Sequence, residues 1–218
     1  MLFDLDGTLV DSVYQHVGAW HDALTAAGFD LSVWRIHRKI GMSGGLFVRG
    51  LMRELGRTVD DLALAELQRG HAAAYAARFA EVVPLPGTRE LLETLTAMRV
   101  PWAIATSGRH DVARRTLALL DVPAHVPIVT RDEVPHAKPD PDLFLRAAEK
   151  LGVPIAHSIV VGDSVWDLLA ARRAGALGVG LLSGGYGGEE LQNAGAYRVY
   201  DDPADLLAHL DEVGVRET

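Results

Sequence analysis

The sequence contains no cysteine. That excludes disulfides, thiol nucleophiles and cysteine-ligated zinc, and it suits a reducing compartment such as the cytoplasm. Basic residues are also short: 21 lysines and arginines stand against 29 aspartates and glutamates, a formal net charge of −8. A nucleic-acid partner needs a basic face to meet its phosphates, so none is expected. No apolar run approaches the ~18 residues of a membrane span, and no basic-then-apolar leader opens the chain. Neither a membrane nor secretion is therefore expected. The ten prolines and 22 glycines are scattered, so no stretch reads as a linker. What is present is 218 residues, 49% of them hydrophobic, enough for one large domain or two small ones. The expectation is a soluble cytoplasmic protein, monomer or weak dimer, whose partner is a small molecule.

Periodicity divides the chain in two. From Ser12 to Ala80 no strand signal appears. Val13, Val17, Trp20, Leu24 and Ala27 repeat at helical spacing. Helices are also predicted over 45–55 and 60–80, the last with Leu64, Leu67, His71, Tyr75 and Phe79 on one face. From Pro84 onward, apolar strands (VPWAIAT, PIVT, SIVVGD, LGVGLL, YRVY) alternate with helices. Asp140 and Pro141 read as an N-cap and first helical residue. This texture predicts an α/β fold: a doubly wound parallel sheet, residues 1–11 and 83–218, interrupted by an all-helical cap, residues 12–82. The first strand, read as Met1 to Leu5, must join that sheet. It is short for a central strand, so either the strand is truncated or the true start codon lies upstream.

In such a sheet, ligands bind outside the carboxyl ends of the strands. Asp4 and Asp6 close the first strand in FDLDGT. Thr106, Ser107 and Gly108 close VPWAIA, Asp163 closes SIVVG with Asp167 one turn on, and Lys138 lies in the loop HAKPDPDLF. Asp4 can attack phosphorus, while Asp6 can protonate a leaving oxygen and then deprotonate water. Lys138 and a cation would offset the carboxylates. The Thr106 hydroxyl and the amides of Ser107 and Gly108 would hold phosphate oxygens at a helix N-terminus. A set of carboxylates without histidine suits Mg²⁺ rather than zinc.

With those residues in order, the chain resembles the haloacid dehalogenase superfamily, in the phosphatase and phosphomutase branch that carries a helical cap. The resemblance runs nearly end to end and rests on DLDGT at Asp4–Thr8, Thr106, Lys138 in AKPDPDLF and GDSVWD at Gly162–Asp167. It implies Asp4 as nucleophile, Asp6 as general acid and base, and Thr106 and Lys138 on the phosphate. It also implies Mg²⁺ on Asp4, Asp163 and the Asp6 carbonyl, with Asp167 orienting a bound water or Lys138. Dehalogenation is not expected, because dehalogenase members lack the second acid, here Asp6.

Within the branch, DSVYQHVGAW resembles the cap entry of β-phosphoglucomutase-like enzymes. Their cap loop, however, carries an arginine where this chain has Gly44, and their cap lysine aligns with His71. Hydrolysis of a small phosphorylated metabolite is therefore favoured over mutase activity, and a non-catalytic phosphate sensor is the third reading. Arg35, Arg38 and Lys39 put positive charge beside the cap loop, so Arg38, Lys39, Ser43 and Gly44 are taken as the cap's substrate residues. Trp20 and Tyr75 are read as cap core, His16 as a hinge residue, and Gly184–Gly188 as a loop rather than a phosphate cradle. The leaving group, phosphoglycolate, sugar phosphate or nucleotide, stays open.

Overall fold

The computed structural model describes residues 1–216. Six parallel strands form one sheet: β1 (Leu2–Phe3), β4 (Ala103–Ala105), β5 (Ile128–Val129), β6 (Ile159–Gly162), β7 (Leu177–Leu181) and β8 (Ala196–Tyr200), in the order β5-β4-β1-β6-β7-β8. The chain leaves β1, returns on one side through β4 and β5, and then crosses to β6 on the other side. The strand order thus reverses beside β1, the place where such sheets open a crevice.

Alternation along the strands builds two cores. Phe3, Ile104, Val161 and Val179 face Leu91 and Leu95 of α5 (Thr88–Ala97) and Leu206 of α10 (Pro203–Ala208). Leu2, Ala103, Ala105 and Val160 face Leu143, Phe144 and Ala147 of α7 (Asp142–Leu151) and Ala170 and Ala171 of α8 (Val165–Ala174). Helices α6 (His110–Leu117) and α9 (Gly188–Ala194) complete the layers.

A two-residue antiparallel ribbon, β2 (Val10–Asp11) against β3 (Val83–Pro84), carries the chain out of the sheet and back. Between its strands lie α1 (Val13–Ala26), α2 (Val33–His37), α3 (Gly44–Glu54) and α4 (Asp61–Arg78). Val13, Val17, Trp20 and Leu24 of α1 bury against Phe47, Val48 and Leu51 of α3 and Leu67 of α4, a core separate from those of the sheet. No helix among the described residues is long and apolar enough to cross a membrane.

Several boundaries differ from expectation. The first strand pairs only over Leu2–Phe3, because Thr8, Leu9 and Val10 all donate back to the Leu5 carbonyl and curl the chain away. Its brevity does not make it peripheral, since both residues are fully buried between two neighbours. The five-residue α2 carries too few apolar positions to announce itself. Helix α7 starts at Asp142 with Pro141 as its N-cap, one residue later than expected. The Asp142 carboxylate accepts from the His136 amide, while Asp140 donates its own N–H to Ala137.

Candidate active site

The tight turn after β1 sets the site. Gly7 sits at φ +85°, and a Cβ there would collide with the Asp163 carboxylate, so only glycine lets the two strand ends meet. Asp4, its amide held by the Val161 carbonyl at 2.9 Å, projects from the end of β1. Lys138 Nζ donates to Asp4 Oδ1 and lies 2.8 Å from Asp167 Oδ1, with the lysine and both acids buried. Asp163 is held from below by the Thr8 hydroxyl at 2.8 Å. Asp167 and Ser164 form a capping box at the start of α8, with the Ser164 hydroxyl donating to Asp167 Oδ2 at 2.5 Å.

Oxygens of Asp4, Asp163 and Asp167 fall within 4.8 Å of one another, with one buried lysine to balance them. Burial raises Asp4 to about 7, and the charges of Asp167 and Asp6 add to it against the pull of Lys138. Burial, then Asp167 and Asp4, push Asp163 well above the ordinary carboxylate range. Burial disfavours the charge on Lys138, yet the two flanking carboxylates outweigh that and raise it. An all-oxygen set with surplus negative charge fits a hard divalent cation. Asp6 belongs elsewhere. Its carboxylate turns to the Ser12 hydroxyl at 2.8 Å and His16 Nε2 at 3.2 Å, outside the carboxylate cluster. Burial would raise it, but the opposing contacts from His16 and Ser12 carry it below the usual value.

The acids open into a cleft of about 1020 Å³ between the sheet's edge and the helical block. Asp4, Asp6, Thr106, Ser107 and Gly108 line its floor, and Trp20, Ser43, Gly44, Gln68 and His71 its roof. Lys138, Asp163 and Asp167 lie buried behind Asp4. The Ser107 hydroxyl is buried without a partner, and the Gly108 amide donates to Thr106 Oγ at 2.9 Å. A buried polar atom left unpaired costs free energy, so a ligand oxygen is its natural partner. His16 stacks on Tyr75 with centroids 3.9 Å apart and meets His71 Nε2 through Nδ1 at 3.1 Å. Burial and the neighbouring His16 hold His71 well below its usual value, hence neutral near pH 7.

Of the residues expected in the cap's substrate loop, Ser43 and Gly44 reach the cleft and Arg38 and Lys39 do not. Arg38 pairs with Glu190 and lies 4.3 Å over the Tyr186 ring, and Lys39 pairs with Glu54 at 2.6 Å. Both long side chains find carboxylates on the outer side, where water also solvates them. The glycine-rich loop is not a phosphate cradle either, because Gly184 is buried against Asp163. Sequence reasoning gave no role to Thr8, Ser12, Ser164 or Gln68. The S-x-x-D spacing of Ser164 and Asp167 is the one signal that announces such a partner in advance.

Residues 1–175 match the family model for haloacid dehalogenase-like hydrolases. Hexitol phosphatase A of Escherichia coli (strain K12) is 34% identical, covering 80% of this chain and 78% of its own. A phosphoglycolate phosphatase of Pseudomonas fluorescens (strain Pf0-1) is 29% identical over 95% of this chain and 78% of its own. The crystal structure of a hydrolase from Pseudomonas syringae superposes with a TM-score of 0.96 at 55% identity, over 98% of both chains.

Proposed function

The chain belongs to the haloacid dehalogenase-like hydrolases, and from that premise we propose a Mg²⁺-dependent phosphatase acting through an aspartyl-phosphate on Asp4. Relatives named as phosphatases support the broader statement, that the protein is a phosphoric monoester hydrolase. One observation carries the finer one: Asp4 alone of the buried carboxylate cluster lines the cleft, backed by Lys138, in the same cleft that Ser107, with its unpaired hydroxyl, lines.

In this reading Thr106, Ser107 and the Gly108 amide bind the phosphoryl oxygens, and Lys138 keeps Asp4 oriented and offsets charge. An Asp4 oxygen attacks phosphorus while the bond to the leaving oxygen breaks, and Asp6 protonates that oxygen. Water then attacks the aspartyl-phosphate, Asp6 takes its proton, and inorganic phosphate departs. The contacts from Ser12 and His16 hold Asp6 ionised in the free protein. The proton it passes to the leaving oxygen therefore enters with the substrate as its phosphate monoanion, and the ionised form returns to take the water's proton in the second half. Asp4, Asp163 and the Asp6 carbonyl would hold Mg²⁺, with Asp167 beside them, and the ion supplies charge neutralisation of the transferring group. Attraction between charges ~4 Å apart rises from about 1 kcal/mol in water to ~4 at an effective dielectric of 20, so a roof that excludes water assists every step. The absence of cysteine supports the cytoplasm as the place of action.

A mutase reading is not favoured. Gly44 presents no cation and His71 is neutral where a second phosphate would need charge. The test is phosphate release from a metabolite panel with and without Mg²⁺, including β-glucose 1-phosphate with a trace of the 1,6-bisphosphate. Borohydride reduction of the quenched enzyme should then convert position 4 to homoserine, read by mass spectrometry. Isomerisation to glucose 6-phosphate without phosphate release would instead establish the mutase.

A further inference from the structure

The cap also meets the loops at the sheet's edge through residues 37–41, a segment that reaches the cleft only at Ile40 and Gly41. His37 Nε2 donates to the Gly184 carbonyl at 2.8 Å, and its ring stacks on Tyr14 with centroids 5.4 Å apart. The Tyr186 hydroxyl donates to the Arg38 carbonyl at 2.9 Å beneath the Arg38–Glu190 pair. On the other side of the same segment, a Cβ added to Gly41 would come within 2.6 Å of Ser164 Oγ and 3.2 Å of the Trp166 ring. The segment is therefore wedged between the loop after β7 and the first turn of α8.

Both of those surfaces hold the acidic cluster. Gly184 packs so closely on Asp163 that a Cβ there would overlap its carboxylate, and the adjacent Ser183 hydroxyl donates to the Gly7 carbonyl at 2.6 Å. Ser164, which Gly41 abuts, is the residue that binds Asp167 through side chain and backbone. One cap segment thus bears on the immediate supports of two of the three clustered acids.

We infer that His37 is a positioning residue, which ties the seating of the cap to the placement of Asp163 and Asp167 and thereby to divalent-cation affinity. The hydrogen bond from His37 fixes the Gly184 carbonyl, Gly184 fixes Asp163, and Gly41 confines Ser164. Outer partners of metal-binding side chains commonly matter 10–100-fold in affinity. His37 acts one step further out, so the lower end of that range is the expected size. The inference rests on the Mg²⁺ reading of the acidic cluster.

The test is calorimetric titration of Mg²⁺ into the full chain, without substrate. His37→Ala should weaken binding about tenfold, and His37→Gln, whose Nε2 can donate to the same carbonyl, should restore it to within about twofold. Asp22→Ala breaks the Arg78–Asp22 ion pair, which lies in the cap but away from this segment, and should bind Mg²⁺ as the wild type does. Unchanged affinity in folded His37→Ala, failure of His37→Gln to restore it, or an equal loss in Asp22→Ala overturns the coupling. Should His37→Ala not fold, Glu190→Ala loosens the same contact at an exposed pair. A two- to threefold weakening is then expected, and none overturns the inference. A wild type that binds no Mg²⁺ removes the metal reading itself and the coupling with it.

Discussion

In the mechanism proposed above, Asp4 carries two burdens, a nucleophile's access to the cleft and a buried carboxylate's cost. Asp4→Asn removes the attacking oxygen but keeps the shape, and Lys138 retains Asp167 as a partner. Turnover should fall by on the order of 10⁴-fold or more, the scale on which loss of a covalent nucleophile registers. Far-ultraviolet circular dichroism and cooperative melting should be preserved, and a folded variant with wild-type rate would remove Asp4 from the chemistry. The raised value of Asp4, about 7 against the ordinary 3.8, also has a sign. Folding favours its protonated form, so in the metal-free protein that contribution is complete below about pH 4 and is lost as pH rises through about 7. A cation competes with that proton, and with the one on Asp163. Saturating Mg²⁺ should therefore raise the melting midpoint more at pH 8 than at pH 5.5, by about 5 °C in differential scanning fluorimetry. An equal shift at both values would count against a cation on these acids.

Among the elements, α3 and the loop before it separate two jobs that the sequence runs together. Gly44 begins the helix under the cleft's roof, where a Cβ would stand 3.3 Å from Trp20 Cζ2 and 3.5 Å from Gln68 Nε2. Arg38, six residues earlier, is turned outward to Glu190. Gly44→Ala should thus reorder kcat/KM across a substrate panel, whereas Arg38→Ala should change all substrates by the same factor. Its ion pair is partly exposed, worth about 0.2–1 kcal/mol, so that factor should be small. Reordering by Arg38→Ala would return it to the cleft. The helical pattern itself showed α1, α3 and α4 from their apolar periodicity. The short α2 and the outward turn of Arg38 left no such trace, because a charged side chain's direction depends on which carboxylate the fold brings near it.

At the scale of the molecule, the cleft is built mostly of committed charges. Arg49 pairs with Asp61 at 2.6 Å, Arg109 lies 3.6 Å from Asp132, and Arg131 donates to the Val134 and Pro135 carbonyls. Arg69 sits on the exposed rim. The roof offers the indole of Trp20 with Ser43, Gln68 and neutral His71. Burying an unpaired carboxylate there costs far more than burying hydroxyls that find these partners, and the N-terminal dipole of α3 returns only about 0.3–1 kcal/mol. A polyol or sugar phosphate should accordingly be hydrolysed with kcat/KM at least about tenfold above phosphoglycolate. Preference for phosphoglycolate, abolished by Arg69→Ala, would show that the rim arginine supplies the missing charge.

Sequence by itself determined the α/β alternation, the helical insertion and the identity of the chemical groups. Strand periodicity, glycine at φ > 0 and the DLDGT, Lys138 and GDSVWD segments are local properties, written in neighbouring residues. Tertiary structure decided which way those groups face. It set Asp6 on Ser12 and His16 rather than beside Asp4, turned Arg38 and Lys39 away from the cleft, and pressed residues 37–41 against the supports of Asp163 and Asp167. The reason is physical: a side chain's charge state and direction follow from burial and from whichever partners the fold brings near. Some are near in the chain, as Ser12 and His16 are for Asp6, and others lie more than a hundred positions away, as Lys138 does for Asp4 and Gly184 for His37. The longer distances close only when the sheet and the cap have packed.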